Sequence, residues 1–453
     1  MKEYITPNEE ALFGANDSET IQNAIAAAEK DGCRKIVIPR YNARTDSTEW
    51  RIPEAIMLPS DFTVILDNCY MVQETGVFQN MFCNSYAWDE SKYDIEHEQH
   101  DISIIGVGNV VLDGGKHNRC REKTNCHYGL PTIWVNNMIL WVNCRNIRVE
   151  NINIQHQRWW AVNHIFCRDV VCKNIHFYAI PHVSNMDGID LRVGCNNFVI
   201  ENITGRTGDD TVALTALSDK GALHRMVKGK ENDTHIHDVK MKNIKSDPEH
   251  CFIVRLLNHD GHKEYNIDID TIMDTSDYVS KMRSGSALGM GAPIYFHERP
   301  REKGEFYNIT AKNIYSRSNN TFFISQAFEH SKISNVHTFG DNINLLNHGL
   351  GGPYTGCFFD DVLFEHIFYG ADQTEICLSN ELPAENYNGK VLDLSKMTGE
   401  LKIKDLNIDR VKKGIILSGG MTVKIDGYKC NRAFEEFTVA EDSKLIIDGE
   451  EIK

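Results

Sequence analysis

The chain has 453 residues, well above the usual about 100–200 residues of one compact domain, and 41% of them are hydrophobic, enough for an extended core. Its net charge of −16 argues against nucleic acid and anionic membranes as partners, because both reward basic patches. No run of about 18 apolar residues occurs, so no membrane span is expected.

The first ten residues lack the apolar stretch of a secretory leader. The 13 cysteines are odd in number and form no paired CxxC spacing. Free thiols in a reducing compartment follow as the expectation, and with them a cytoplasmic location.

In chain order, residues 17–31 read as a helix. Asp17 serves as N-cap, Glu19 favours the first turn, Gly32 follows the end, and Ile21, Ala24, Ile25 and Ala28 share one face. Short β runs follow at Lys35 to Pro39, Ala55 to Ser60 and Phe62 to Asp67. Residues 75–100 are rich in Asn, Asp, Glu, Tyr and His and read as a long surface loop. A β run returns from Ile102 to Gly115, and residues 116–132 read as a second loop.

A loose repeat then appears. Its units end in Asn151-Ile152, Asn174-Ile175, Asn202-Ile203, Asn243-Ile244 and Asn313-Ile314, with Thr271-Ile272 as a variant. The first two asparagines are 23 residues apart and the next step is 28. Self-similarity at such a period marks a solenoid. Alternating β-branched residues make the units strands, and each asparagine is a turn residue stacked on the one below. These units are too short for paired helices and lack a leucine-rich pattern, which leaves a parallel β-helix. Residues 401–406, 414–417 and 421–425 continue the coils. The N-terminal helix, about residues 15–32, would cover the open end of the core. No linker rich in Pro, Gly or Ser divides the chain, so one domain over 1–453 is expected, with catalytic coils in 140–330 and terminal coils in 395–453.

Chemistry concentrates between Asn185 and Leu217. Asp187 and Asp209 are 22 residues apart, about one coil, which would bring them onto adjacent strands about 4.8 Å apart. Asp210 follows Asp209, and both can enter one cleft only if Gly208 lets the chain bend. Like charges so close raise one another's pKa. Three acids in this arrangement suit glycosidic cleavage, one donating a proton to the leaving oxygen and others activating water. Calcium binding by the same carboxylates, as in a lyase, is the competing chemistry. Plain turn capping is the bland alternative, and it suits Asp190 best.

The two motifs Asn185-Met186-Asp187-Gly188-Ile189-Asp190 and Gly208-Asp209-Asp210-Thr211-Val212-Ala213 resemble, in order and spacing, the NTDG-type and GDDC-type motifs of the polygalacturonases, glycoside hydrolase family 28. Gly106-Val107-Gly108, Asp113-Gly114 and the aromatic stretch Trp159 to His164 resemble further family features, and the likeness covers roughly residues 15–330. It implies an all-β, single-stranded, right-handed parallel β-helix with an N-terminal capping helix. It also implies hydrolysis with inversion, Asp209 as general acid, and Asp187 with Asp210 activating water, with no cofactor and no metal. His250, in Glu249-His250-Cys251, is the nearest match to the histidine of the next coil. The Arg-Ile-Lys strand with which the family grips a substrate carboxylate is not visible. Ala292 to Arg299, with Tyr295 and His297, occupies the comparable coil, Arg255 could supply a clamp, and Thr215 stands where many relatives carry lysine. Asn185 and Trp159 complete the candidate sugar contacts.

These readings point to an exo-acting glycosidase on pectin-derived oligosaccharides, galacturonides or rhamnogalacturonan fragments. The loops at 75–100, 116–132, 218–235 and 279–304 would wall one end of the groove. A lyase or uronate epimerase on the same fold, or a non-catalytic sugar-binding β-helix, are the alternatives. An oligosaccharide is the expected partner.

Overall fold

The computed structural model describes residues 2–77, 79–115, 137–157, 159–179, 185–217, 226–258, 261–276, 284–291, 302–339, 344–348, 357–370 and 389–452. They fall into two compact units, Met1–Ala213 with Ser218–Ile236 and Leu214–Leu217 with His237–Lys453.

The first unit opens with the helix Asp17–Asp31, whose buried face is Ile21, Ala24, Ile25 and Ala28, as the apolar spacing predicts. Its cap is Asn16, one residue before the expected Asp17. The Asn16 side chain accepts the Glu19 N–H at 2.8 Å, and the Glu19 carboxylate reaches back to the Ala15 N–H at 2.6 Å. Asp17 is instead buried, held by Arg44 Nε at 2.8 Å and the Arg51 N–H at 2.7 Å. Gly32, at φ +81°, ends the helix in the left-handed region. The helix packs on the strands Lys35–Pro39, Trp50–Ile52 and Ile56–Leu58, over the end of the coils.

The coils are built by parallel pairing between strands of successive turns. Cys144–Gln155, Arg168–Tyr178 and Asn196–Thr207 form one such stack. The short strands Ile139–Val142, Val162–Ile165 and Ile189–Leu191 form a second. This is a parallel β-helix, with the right-handed winding that parallel crossovers take.

Each of these three long strands holds two non-glycine left-handed residues five apart, the first at Asn146, Asp169 and Asn197 and the second an asparagine in every case. Asn151, Asn174 and Asn202 have φ of 60°, 55° and 58°, a left-handed conformation that asparagine tolerates and most residues avoid. The corner shifts the in–out alternation by one residue, so Val149 and Ile152 both face the core while Glu150 and Asn151 face out. The side chains form a ladder, Asn174 donating to Asn151 at 2.8 Å and Asn202 to Asn174 at 2.9 Å. The asparagine repeat of the sequence is therefore the corner of the fold.

Residues 75–100 differ from the expected surface loop. They contain the strand Phe82–Asn84, buried on every residue, and the single-turn helices Glu90–Lys92 and Ile95–His97.

The second unit repeats the plan with Ile236–Pro248, Glu264–Asp274, Phe306–Ser316, Phe328–Phe339, Phe358–Gly370, Thr398–Leu417 and Met421–Val439. At the variant corner, Thr271 has φ +75° and the ladder bond is taken over by its neighbour: Asn313 donates to Asp270 Oδ1 at 2.7 Å. The final strands Lys444–Ile447 and Glu450–Ile452 pair antiparallel. Among the described residues no helix is long and apolar enough to cross a membrane.

Asn174→Ala should cost about 1–2 kcal/mol, the penalty of the left-handed corner, whereas Asn174→Gly should cost clearly less. Denaturant unfolding of the two variants measures the difference, and equal losses would contradict the corner role.

Candidate active site

The acid-bearing turns sit on adjacent coils of the first unit. Gly188 N–H donates to Asp210 O at 2.9 Å, Ile189 N–H to Thr211 O at 3.0 Å and Gly208 N–H to Met186 O at 3.0 Å. The preceding coil joins through Ala161 N–H to Asp187 O at 3.1 Å. Glycine is required at 188, because a Cβ there would lie 2.4 Å from Thr211 O and 2.9 Å from the Phe177 ring. The chain bends at Gly208 and Asp209. Thr207 holds the bend by donating its hydroxyl to Asp209 O at 2.7 Å.

The three acids differ in environment. Asp209 is partly exposed, and both its oxygens accept backbone N–H groups, from Asn185 at 2.8 Å and Asp210 at 3.0 Å. Asn185, a candidate sugar contact, thus acts on Asp209 through its backbone; its φ of +61° aims that N–H. Asp187 and Asp210 are 5% and 2% exposed. Asp187 Oδ1 accepts no hydrogen bond from the described residues. Burial, then the charges of Asp190, Asp209 and Asp210, push the Asp187 carboxyl well above the usual carboxylate range, against a smaller pull from Arg192. A carboxylate oxygen of Asp209 and one of Asp210 lie within 4.8 Å of each other. A calcium site needs 6–8 oxygen ligands. Each Asp209 oxygen accepts one N–H and burial favours the neutral form of Asp187, an arrangement suited to proton transfer.

Asp190 is not the turn residue that its sequence context suggests. It lies within the strand Ile189–Leu191, fully buried, with Oδ1 3.5 Å from Arg192 Nη2. The Arg192 guanidinium lies 3.5 Å from the centroid of the Trp160 ring, a cation–π contact. The alternation Ile189-Asp190-Leu191-Arg192 carried the signal for this pair. Trp159 is fully buried, so its ring belongs to the core and is closed to a sugar. His164 is buried too; burial pushes its imidazole down to about 4, and its Nδ1–H donates to Asp190 O at 3.0 Å.

A second polar centre forms around Asp113. Asp113 is buried and accepts Tyr70 Oη at 2.5 Å, Gln155 Nε2 at 2.7 Å, the Gly115 N–H at 2.8 Å and His156 Nδ1 at 2.9 Å. Burial alone would raise its carboxyl, but these bonds outweigh it and hold the group below the usual range. Gly114 is needed beside it, since a Cβ would lie 2.2 Å from His156 O.

The short catalytic-side strands are covered on their outer face. Leu140, Val142, Ile165 and Val193 pack with Cys83, Ala87, Tyr93 and Val227 in one apolar cluster. The covering segments pair with each other, Lys228 N–H to Tyr93 O at 2.9 Å and Ile95 N–H to Lys228 O at 3.1 Å. Glu98 clamps them to the coils, with Lys230 Nζ at 2.7 Å and Arg168 Nη2 at 2.8 Å.

His250 and Arg255 lie in the second unit. His250 is exposed at φ +63°, and Arg255 sits 5.3 Å from the Phe252 ring centroid. Thr215 is buried. Tyr295 and His297 lie outside the described residues.

Residues 51–230 match the model of glycosyl hydrolases family 28. The chain is 24% identical over 222 residues to the polygalacturonase QRT2 of Arabidopsis thaliana, covering 47% of this chain and 46% of the relative, so it spans about half the length of that curated relative. Among solved structures, the family 28 exopolygalacturonase of Yersinia enterocolitica aligns at 10% identity and a TM-score of 0.49, covering 100% of this chain and 80% of that one. The A-module of the mannuronan C-5 epimerase AlgE6 of Azotobacter vinelandii aligns at 12% identity and 0.47, covering 98% of each. The chain is thus similar to family 28 glycosyl hydrolases over residues 51–230 and to a polygalacturonase over about half of its length.

Replacing Asp187 by Asn has a defined sign. The folded carboxyl keeps its proton at pH values where the unfolded one has lost it, so its contribution to stability is complete in acid and falls as pH rises. Asp187→Asn should therefore raise the unfolding temperature at pH 7 and change it little at the acid end. An unchanged or lowered value at pH 7 would contradict the burial of this acid.

Proposed function

We propose that this protein is an inverting, exo-acting glycoside hydrolase of pectin-derived oligosaccharides, galacturonides or rhamnogalacturonan fragments. The observation that carries the reading is the stacking of Asp187, Asp209 and Asp210 on two bonded coils, with one of them favouring its proton. The polygalacturonase name of the relative QRT2 supports the choice of substrate.

In the reaction, Asp209 gives its proton to the glycosidic oxygen as the C–O bond breaks. Asp187 and Asp210 take a proton from a water whose oxygen attacks the anomeric carbon on the opposite face. Protonation belongs to the group of acids rather than to one of them. In the empty site Asp187 is the acid pushed towards its neutral form, so this assignment requires the proton to reside on Asp209 once sugar is bound. The two N–H bonds to Asp209 favour a second assignment, with Asp187 as acid and the other two as base. Exo action is supported by the segments around Tyr93 and Val227, which cover strands beside the acids where an open groove would leave them bare. The ten described cysteines are all free thiols, which supports a reducing, cytoplasmic location.

Asp209→Asn should lower release of reducing sugar from defined galacturonides by about 10²–10⁴-fold, the range for a lost general acid. Substrates with a nitrophenyl leaving group need no acid. They should restore turnover to whichever of Asp209→Asn and Asp187→Asn has lost the acid, and to that one alone. Full activity in Asp209→Asn would overturn the catalytic reading. A chelator-sensitive product absorbing in the ultraviolet would replace hydrolysis with a lyase.

A further inference from the structure

The second unit carries an outward row of one methionine and three aromatic side chains that the reaction does not use. Parallel register sets Met273, Tyr315, His337 and Phe368 side by side on four successive coils. Their neighbours Ile272, Ile314, Val336 and Ile367 face the core, so these four point outward and remain partly exposed. The rings are ordered: Tyr315 stacks on His337 at 5.3 Å and 15°, and His337 on Phe339 at 6.0 Å and 20°.

A pocket of about 320 Å³ opens at this row, lined by Met273, Asp274, Thr275, Tyr315, Arg317 and Phe339. Its size is at the lower end of ligand pockets, about 300–1,000 Å³. Asp274 is 6% exposed and is held by the Ser276 N–H at 2.8 Å, Ser284 Oγ at 3.2 Å and Ser318 Oγ at 2.6 Å. These bonds fix the carboxylate in place with acceptor capacity to spare.

The combination selects a ligand class. Aromatic walls match the C–H face of a sugar ring, while Asp274, Thr275 and Arg317 offer an acceptor, a hydroxyl and guanidinium donors to its hydroxyl rim. A purely apolar ligand would make no use of the carboxylate, hydroxyl and guanidinium at the pocket wall. A small inorganic anion would meet the Asp274 carboxylate and use neither ring. We propose that this pocket binds one pyranose unit of an oligosaccharide, as a second sugar site apart from the three acids. That the sugar is pectin-derived rests on the proposed function.

The test is calorimetric titration of full-length Asp209→Asn protein with trigalacturonate. Two binding events per chain are expected, and adding Tyr315→Ala should remove one or weaken it at least tenfold. Asp209→Asn with Arg317→Gln should do the same, and keeps the test open if Tyr315→Ala does not fold. One event that neither change alters, beside wild-type protein that still cleaves the sugar, would overturn the second site alone. No binding and no cleavage would overturn this site and the proposed function together.

Discussion

Everything in the first unit depends on the register of one coil against the next. A one-residue slip would exchange Phe198 and Ile200, which face the core, for Val199 and Glu201, and the strand would lose its buried face. The asparagine corners reinforce that register, because each side chain bonds its counterpart 23 or 28 residues earlier. The same register places Asp210 O on the Gly188 N–H and so brings two acid-bearing turns together. The site is a by-product of coil stacking, with glycine at 188 as the local concession to close approach.

Bringing carboxylates together beneath a covered surface is unfavourable for folding and useful for chemistry. Asp187 is the clearest case, since burial and three neighbouring acids all favour its neutral form. The surroundings moderate the cost unevenly. Arg192, seated on Trp160, offsets part of the Asp190 charge, and two backbone N–H groups accommodate Asp209. The result is a set of acids in unlike surroundings, of which Asp187 is the one pushed towards its neutral form. The ion pairs of Glu98 act differently: they tie the covering segment to the coils beside its apolar cluster.

The repeat made the coils legible because asparagine accepts the left-handed corner more readily than most residues, so much of the backbone requirement is written into residue identity. Where Asp169, Asp238, Thr271 or His366 takes such a corner the repeat fades. The acids were legible for a similar reason, as their turns are marked by Gly188 and Gly208. Other features depended on partners distant in sequence. Tyr93 and Val227 join one cluster across more than a hundred residues, and no local pattern in residues 75–100 announces it. Phe82–Asn84 is too short to show alternation, and its burial on every residue hides the period of a strand. The Asn16 cap was readable, since Glu19 stands three residues later, but Asp17 offered the same chemistry one position on. Trp159 and Trp160 show the limit of residue type: adjacent aromatics suit a sugar platform or a core equally, and only the packing decides.

The central claim is that the three stacked acids hydrolyse a glycosidic bond by direct attack of water. Proton NMR of the first-formed product from a defined galacturonide tests it most directly. The account predicts that the newly released reducing end appears first as the anomer opposite to that of the cleaved bond, before mutarotation. Appearance of the same anomer, or of an unsaturated sugar, would contradict it.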